Sequence, residues 1–327
     1  MPSAVPASPL IPVQDMQAAQ LRLRPYIVRT PLVPFPLEGF WLKPESLQPT
    51  GAFKLRGAFN ALLSLSPEAS ARGVVAHSSG NHAQAVAYAA QQLGIPAVIV
   101  MPSNAPRIKL EMTQAFGAEV IVVGPASEER AHRAKELTHS RGLTPIAPYD
   151  DPRIIAGAGT VGLEILEDLP DIGTVLVPVS GGGLISGVAA ALKQLHPQVR
   201  VIGVEPELAA DARDSLRGGQ LVTYSAEQVG QTLADGLRVQ HLGTLNWAHV
   251  QAYVDDIITV TESELRRAAR DTTLRARLVT EPSGAVTAAA ALFRRAELGE
   301  TGPLVAILSG GNLDTNLLLE LLSEDAP

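Results

Sequence analysis

The sequence predicts an α/β protein made of two open domains, with mainly parallel sheets and an active-site cleft between the domains. Two observations support this fold. Short runs rich in valine and isoleucine alternate with alanine-rich stretches of helical length. The apolar runs are continuous, which is typical of strands covered on both faces in parallel sheets. Alternating strands and helices indicate βαβ units, so we expect open parallel sheets.

The predicted elements fall into two sets along the chain. Strands are expected at residues 74–76, 97–101, 120–123, 174–179, 201–205 and 304–308, and helices at 83–92, 107–116, 128–140, 184–195 and 284–298. We expect residues 73–150 to form a small domain. Residues 1–72 and 151–327 would form a large domain, and the cleft between two domains is where ligands usually bind.

The composition narrows the class of protein. Of 327 residues, 46% are hydrophobic and 18% charged, as in globular proteins. A net charge of −7 and 4% aromatic residues argue against nucleic-acid binding. No apolar run approaches the roughly 18 residues of a membrane span, and the N-terminal segment lacks the positive charge of a secretory signal. With no cysteine, the chain has no thiolate nucleophile or disulfide. We expect a cytoplasmic protein without membrane or nucleic-acid partners.

The strongest local pattern follows the predicted strand at 174–179, where Ser180-Gly-Gly-Gly-Leu184 opens an alanine-rich helix. Backbone N–H groups at a helix N-terminus bind phosphate, and glycines allow its close approach. The spacing matches neither the dinucleotide nor the nucleoside-triphosphate loop. A plain strand-to-helix turn is the alternative, but it needs one glycine rather than three. The segment therefore predicts a site for a single phosphate ester.

Two further strand ends are polar and rich in glycine. Ser78 to Asn81 would begin a helix and could bind a carboxylate or simply cap that helix. Ser309 follows the strand at 304–308. Lys54 lies between Gly51 and Gly57, which we interpret as clearance for a bulky ligand; an ordinary lysine at a helix start is the alternative. Together these features suit a phosphorylated aldehyde, and pyridoxal phosphate is such a cofactor.

At this point a family resemblance is evident. The chain resembles the serine racemase and threonine dehydratase family of pyridoxal-phosphate enzymes, which have the tryptophan-synthase-β-like fold (fold type II). The resemblance extends from about residue 25 to 314 and rests on KPESLQPTGAFKLRGA, HSSGNHAQA, NAPRIKLEM, GAGT, VPVSGGGL, GVEP, TLADGL, EPSGA and LSGGNLD, in family order.

The resemblance implies a role for each matching residue. Lys54 would hold the cofactor aldehyde, with Phe53 beside the ring. Asn81 would bind the ring hydroxyl and Ser309 the pyridine nitrogen. The residues implied for the phosphate are Ser180, Gly181, Gly182, Gly183 and Leu184, and those for the substrate carboxylate are Ser78, Ser79, Asn81 and His82. Arg130 would reach an acidic substrate end, unless it is only a solvated helix charge.

The resemblance also implies a Mg²⁺ or Ca²⁺ site formed by Glu205, the carbonyl of Ala209 and Asp211, since hard cations prefer oxygen ligands. Without the resemblance, these carboxylates would be ordinary surface charges.

The chain departs from the family pattern at several positions. Ala83 replaces a usual Gly, Ala158 a usual Gln and Ser180 a common fourth Gly, while Tyr149 occupies a position that varies among relatives. Ala83 adds only a methyl group, and Ser180 could add a hydroxyl bond to the phosphate. Ala158 removes an amide.

The implied activity belongs to amino-acid metabolism: dehydration of L-threonine and L-serine to a 2-oxo acid and ammonia, with Lys54 as the base that removes the Cα proton. Ser79 occupies the position of a second acid/base, so a serine racemase with dehydratase side activity stays open. So do a 3-hydroxyaspartate dehydratase, for which Arg130 would bind the second carboxylate, and a non-catalytic cofactor-binding protein. We expect a homodimer, as is common in the family. The chain ends soon after LSGGNLD, so we expect no regulatory domain and no feedback by isoleucine.

Overall fold

A computed structural model describes residues 10–78, 80–105, 107–299 and 302–324, apart from the side chains of Ile108 and Ser127. The strands are β1 (Val33–Phe35), β2 (Phe40–Pro44), β3 (Val74–His77), β4 (Ala97–Pro102), β5 (Glu119–Val123), β6 (Thr144–Pro145), β7 (Thr174–Pro178), β8 (Arg200–Pro206), β9 (Asp256–Val260) and β10 (Leu304–Leu308). The helices are α1 (Val13–Leu23), α2 (Lys54–Leu63), α3 (Pro67–Arg72), α4 (Asn81–Leu93), α5 (Arg107–Ala115), α6 (Ser127–Arg141), α7 (Pro152–Asp168), α8 (Gly183–Leu195), α9 (Asp211–Gly218), α10 (Ala226–Val229), α11 (Thr244–Tyr253), α12 (Glu262–Asp271), α13 (Pro282–Phe293), α14 (Arg295–Leu298) and α15 (Thr315–Ser323).

The strands form two sheets. The larger has the order β1-β2-β10-β7-β8-β9, and every pairing in it is parallel except that of β1 with β2. The smaller has the order β5-β4-β3-β6 and is parallel throughout. The predicted α/β class with mainly parallel sheets is therefore confirmed. Because strands in a parallel sheet share a direction, their carboxyl ends meet at one edge, where ligands bind in open α/β folds.

All six predicted strands and all five predicted helices are present, with shifts of a few residues at their ends. The expected helix at 284–298 is interrupted at Arg294 and divides into α13 and α14. The sequence pattern did not identify β1, β2, β6 or β9. Of these, β1, β6 and β9 lie at sheet edges, whereas β2 lies between β1 and β10. Within the described residues, no helix is both long enough and apolar enough to span a bilayer.

The central helix α7 contacts both α2 and α8 closely because glycines lie where the helices meet. A Cβ on Gly157 would lie 2.7 Å from the carbonyl oxygen of Arg56, and one on Gly187 would collide with the carbonyl oxygen of Ile155. Ala158, in place of the usual Gln, is 1% exposed within this interface. The close packing fixes α2, which begins at Lys54, against the body of the larger sheet.

A buried ionic cluster lies beneath the start of α2. Arg56 donates hydrogen bonds to Glu45 (Nε to Oε2, 2.7 Å) and to Glu164 (Nη1 to Oε1, 2.7 Å). Lys43 Nζ donates to Glu164 Oε2 at 2.7 Å and to the carbonyl of Thr30 at 2.6 Å. Two cations thus balance two anions, which offsets the cost of burying each charge alone. The cluster joins β2, α2 and α7.

Candidate active site

Lys54 lies where the carboxyl ends of several strands meet. The segment before it is held to the turn at residues 309–312, after β10, because Phe53 N donates to the carbonyl of Ser309 at 3.0 Å and Gly311 N donates to that of Gly51 at 2.8 Å. Lys54 Nζ is 5.1 Å from the centroid of the Phe53 ring. Lys54, Phe53 and Ser309, predicted as one site, are therefore brought together.

The Lys54 amine has one strong polar partner, the carbonyl of Pro148, to which Nζ donates at 2.6 Å. The residue as a whole is partly exposed, but burial of the amine lowers its pKa to about 8. Desolvation disfavours the charged form, so a free amine is more accessible than in an ordinary lysine. This is the property that a carbonyl-capturing lysine or a general base requires.

The residues 180–183, which we call the glycine loop, join β7 to α8. Ser180 and Gly182 both have positive φ, at 54° and 95°. Gly182 is the N-cap of α8, so no side chain caps the first turn of this helix. The N–H groups of a first turn have no partners within the helix and attract anions. This geometry is compatible with the predicted phosphate site, and Leu184 lies in that first turn.

Tyr149 covers the glycine loop. A Cβ on Gly181 would lie 2.5 Å from the Tyr149 ring, and one on Gly183 would lie 2.9 Å from Tyr149 Cβ. Because Tyr149 follows Pro148, this contact places the loop beside the segment that binds Lys54. Burial and the charges of Asp150 and Asp211 raise the pKa of Tyr149.

Asn81 begins α4 and contacts the side chains of Glu281, the N-cap of α13, and of Asn312, which follows β10. Its Nδ2 donates to Glu281 Oε1 at 2.6 Å, and its Oδ1 accepts from Asn312 Nδ2 at 2.8 Å. Glu281 is 3% exposed, and burial together with Asp235 raises its pKa to about 7. Asn81, predicted to bind a ring hydroxyl, is thus oriented by two side chains for which the sequence suggested no role.

The remaining residues predicted for the carboxylate differ in position. Ser78 lies just after β3, where its Oγ accepts from Gly80 N at 3.2 Å. The His82 ring is buried and contacts the carbonyl of Ile146 through Nε2 at 3.0 Å. Desolvation and the charge of Lys54 lower the pKa of His82 to about 3, so the ring is neutral. Ser79 lies outside the described residues.

Arg130 lies in α6 and is half-buried rather than fully solvated. Its Nη1 donates to the carbonyl of Pro125 at 3.1 Å, while its buried Nε has no partner among the described residues. Desolvation and the charge of Arg130 lower the pKa of His77, the last residue of β3. Arg130 therefore lies near the strand end that leads to the predicted carboxylate site.

Glu205 and Asp211 form a second, buried acidic site. Glu205, in β8, accepts hydrogen bonds from the backbone of Ala212 (3.4 Å) and Arg213 (2.9 Å) at the start of α9. Burial raises the pKa of Asp211 to about 7, and burial with the charge of Asp211 raises that of Glu205. Asp211 Oδ2 is buried without a partner among the described residues. Among the described residues, no group of three or more His, Asp or Glu side chains is placed to bind a metal ion.

The glycines beside Lys54 do not serve the purpose that the sequence suggested. Gly51 has φ 70°, and a Cβ there would collide with the Asn312 side chain; a Cβ on Gly57 would lie 3.1 Å from Ile154. They permit a left-handed turn and a close helix contact, not clearance for a ligand ring. The spacing of glycines in the sequence does not distinguish a glycine that permits a turn or a helix contact from one that makes room for a ligand.

Three residues near the site had no role in our sequence analysis: Glu281, Asn312 and Asp235. All three lie within segments that carry the family resemblance, namely EPSGA, LSGGNLD and TLADGL. The sequence signal that could have identified them is a charged or amide side chain within a short segment rich in small residues.

Comparison with known proteins agrees with this site. A family model described as "Pyridoxal-phosphate dependent enzyme" matches residues 23–310. The chain is 44% identical over 322 residues to L-threonine ammonia-lyase of Thermotoga maritima, covering 96% of this chain and 79% of that protein. It is 39% identical over 322 residues to L-threo-3-hydroxyaspartate ammonia-lyase of Saccharomyces cerevisiae, covering 96% and 97%. The structure of maize serine racemase superposes with a TM-score of 0.91 at 39% identity, covering 95% and 97%.

The site holds a desolvated lysine, a glycine loop at a helix N-terminus and polar strand ends, and the family model matches most of the chain. The chain therefore belongs to the family of pyridoxal-phosphate-dependent enzymes.

Proposed function

We propose that this enzyme is an ammonia-lyase that converts L-threonine and L-serine to a 2-oxo acid and ammonia. The observation that supports it most directly is the 44% identity to L-threonine ammonia-lyase over 96% of the chain. The site agrees with this activity because its lysine, glycine loop and strand-end turns all lie at one edge of the two sheets.

Each residue group has a defined task in this proposal. Pyridoxal phosphate, when bound, supplies an electron sink that makes the Cα proton of an amino acid removable. Lys54 would hold the cofactor and serve as the base for the Cα proton. Its pKa, lowered to about 8, makes the free amine that a base needs more accessible than in an ordinary lysine. The glycine loop with Leu184 would hold the phosphate, Phe53 and Asn81 would hold the ring, and Ser309 would bind the pyridine nitrogen. The substrate carboxylate would be bound by Ser78, Ser79, Asn81 and His82. Because the His82 ring is neutral and contacts the carbonyl of Ile146, His82 would bind the carboxylate through its backbone.

The deciding experiment is a panel of L- and D-serine, L-threonine and 3-hydroxyaspartate, scored for 2-oxo acid, ammonia and inverted enantiomer. We expect rapid ammonia release from L-threonine and L-serine, and none from Lys54→Ala. Lys135→Ala is the matched control because Lys135 is exposed on α6. Cofactor binding without ammonia release would indicate a non-catalytic protein. Accumulation of D-serine that Ser79→Ala abolishes would indicate a racemase.

A second candidate is an ammonia-lyase for 3-hydroxyaspartate, and the position of Arg130 favours it. The half-buried guanidinium has an Nε without a partner among the described residues and lies near His77 at the end of β3. A second substrate carboxylate would supply the missing acceptor. If Arg130 binds it, Arg130→Ala lowers kcat/KM for 3-hydroxyaspartate much more than for L-threonine. Equal effects on both substrates would exclude this candidate.

We also propose that Glu205, the carbonyl of Ala209 and Asp211 bind Mg²⁺ or Ca²⁺. Two observations support it: Asp211 Oδ2 has no hydrogen-bond partner within the described part of the chain, and the pKa values of both carboxyls are raised, so a cation would offset their repulsion. Two carboxylates and a carbonyl leave further positions for water, as these hard cations commonly accept.

The proposed domain division follows the two sheets, with residues 73–150 as the small domain and residues 1–72 and 151–327 as the large one. We further propose a cytoplasmic homodimer, for which the apolar-rich composition is the support. Light scattering after size-exclusion chromatography measures the oligomeric state directly.

A further inference from the structure

Three segments that carry the family resemblance, NAPRIKLEM, TLADGL and EPSGA, have no assigned role, yet the structure brings them together. Lys109 Nζ, from the first segment, lies 3.0 Å from Asp235 Oδ2 in the second. Ser283 Oγ, from the third, donates to Asp235 Oδ1 at 3.4 Å and accepts from Gly236 N at 2.8 Å. Three separate parts of the chain therefore meet at one carboxylate.

The contact between Lys109 and Asp235, which we call the cross-cleft ion pair, joins the two sheets. Lys109 lies in α5, which follows β4 of the four-stranded sheet. Asp235 lies 126 residues further along the chain, between β8 and β9 of the six-stranded sheet. The Lys109 side chain is 14% exposed and that of Asp235 is 48% exposed. The pair is shielded on the lysine side, so solvent screens it less than a fully exposed pair.

Lys109 also lies beside the turn that follows β3. A Cβ on Gly80 would be 3.9 Å from Lys109 Nζ, and Gly80 is the N-cap of α4, directly before Asn81. Burial and the charge of Asp235 raise the pKa of Glu281, the charge of Lys109 offsets part of that rise, and Glu281 accepts a hydrogen bond from Asn81. The amine thus lies close to both the backbone and the side-chain partner of this turn.

The other end of the ion pair is connected to the glycine loop. Ser180 Oγ donates to the carbonyl of Gly236 at 3.1 Å. Gly236 follows Asp235 directly, and Ser180 replaces a common glycine of the family. The Asp235–Gly236 segment therefore contacts the proposed phosphate site on one side and Lys109 on the other.

We propose that the cross-cleft ion pair, supported by Ser283, positions the start of α4, at Gly80 and Asn81, against the glycine loop, and so sets the distance between the substrate carboxylate and the cofactor phosphate. For its kinetic measurement this inference rests on the proposed lyase function. Lys109 and Asp235 act through Gly80 and Asn81 and are positioning residues. Their loss widens the range of positions that the start of α4 samples, which lowers the fraction of bound substrate aligned with Lys54.

The test is a double-mutant cycle in the holoenzyme with Lys109→Gln, Asp235→Asn and the double variant. Each single variant lowers kcat/KM by roughly five- to tenfold, as expected for loss of one partly shielded ion pair. The double variant loses about as much as either single variant, since both remove the same interaction. Lys109→Arg restores most of the activity. Arg107→Gln is the matched control, because Arg107 lies in α5 with a side chain that is 91% exposed.

Hydrogen–deuterium exchange of peptides that cover residues 74–84 gives a second measurement, which does not depend on activity. We expect faster exchange in Lys109→Gln and Asp235→Asn than in the wild type or in Arg107→Gln. Unchanged exchange, or losses of kcat/KM that add fully in the double variant, would overturn the inference. If the wild type released no ammonia from any substrate, the proposed function would fail, and the exchange data would still test the ion pair.

Discussion

The side-chain amide of Asn81 donates a 2.6 Å hydrogen bond to the carboxylate of Glu281, 200 residues further along the chain. This contact joins the turn after β3 in the smaller sheet to the start of α13, which packs on the larger one. The same turn contacts Asn312, which in turn donates to the carbonyl of Thr50 at 2.8 Å. The position of Asn81 at the site is therefore set by two side chains from distant segments, one of which is itself held by the backbone of Thr50.

Glu281→Gln is expected to change how stability depends on pH. Burial raises the folded-state pKa of Glu281 from 4.5 to about 7, so the folded protein holds a proton that the unfolded chain releases above about pH 4.5. The wild-type protein therefore loses stability as the pH rises from the unfolded-state pKa of Glu281 through its folded-state pKa. The variant has no such proton and becomes more stable than the wild type by on the order of 2–3 kcal/mol between about pH 5 and about pH 8.

Urea unfolding of both proteins across this pH range measures the effect. Gln keeps an oxygen that can accept from Asn81, so the variant is nearly isosteric. Glu297→Gln is a suitable control because the Glu297 side chain is 49% exposed. If the free energies of unfolding of the wild type and Glu281→Gln changed in parallel with pH, the pKa of Glu281 would not be raised.

Gly181→Ala is expected to weaken cofactor binding. The added Cβ would lie 2.5 Å from the Tyr149 ring, so either the glycine loop or Tyr149 must move. We expect an increase of about tenfold or more in the Kd for pyridoxal phosphate, since a shift of the loop misaligns the first-turn N–H groups of α8. Absorbance titration measures this constant. Adding Tyr149→Ala makes room for the methyl group and should recover part of the affinity; no recovery would mean that Tyr149 is not the obstacle.

Arg56→Met is expected to destabilise the fold strongly. The change leaves the buried carboxylates of Glu45 and Glu164 with Lys43 as their one remaining cation in the described cluster. Removing one member of a buried ion pair typically costs about 3–5 kcal/mol. Chemical denaturation measures the loss. Arg107→Met, on the exposed face of α5, should change stability by less than about 0.5 kcal/mol. Similar values for the two variants would contradict the cluster's importance.

Millimolar Mg²⁺ or Ca²⁺ is expected to raise the thermal unfolding midpoint of the chelator-treated protein. At a ligand concentration of about 100 times Kd, binding to the native state adds about 2.7 kcal/mol. Asp211→Asn removes one charged ligand and should abolish most of the shift. Asp214→Asn is a stringent control, since Asp214 lies in the same helix and pairs with Arg213 and Tyr224. An equal shift in the wild type and Asp211→Asn would place any cation elsewhere.

Local patterns in the sequence were sufficient for much of the fold. Continuous valine and isoleucine runs predicted β3, β4, β5, β7, β8 and β10, because strands buried on both faces must be apolar throughout. They did not predict β1, β2 or β9, whose pairing partners decide their structure. The break between α13 and α14 at Arg294 was likewise hidden within a continuous helical pattern.

Some features of the candidate site could likewise be predicted from local sequence, and others could not. Three glycines after a strand predicted a phosphate site in the glycine loop, and a lysine among small residues predicted a role for Lys54, since both patterns depend on neighbouring residues. The purpose of Gly51 and Gly57 was not predictable, because Asn312 and Ile154, the side chains they accommodate, are far away in sequence.

The sequence by itself determined the α/β class, the strand-end turns and the family, because these depend on periodicity and on short ordered motifs. Tertiary structure alone decided the partners of Asn81, the buried cluster around Arg56 and the approach of Lys109 to Asp235. Those contacts join residues between 11 and 231 positions apart. Such a contact depends on the path of the whole chain, which brings the two residues together, and on how far folding buries their polar groups. Neither can be read from a short stretch of sequence.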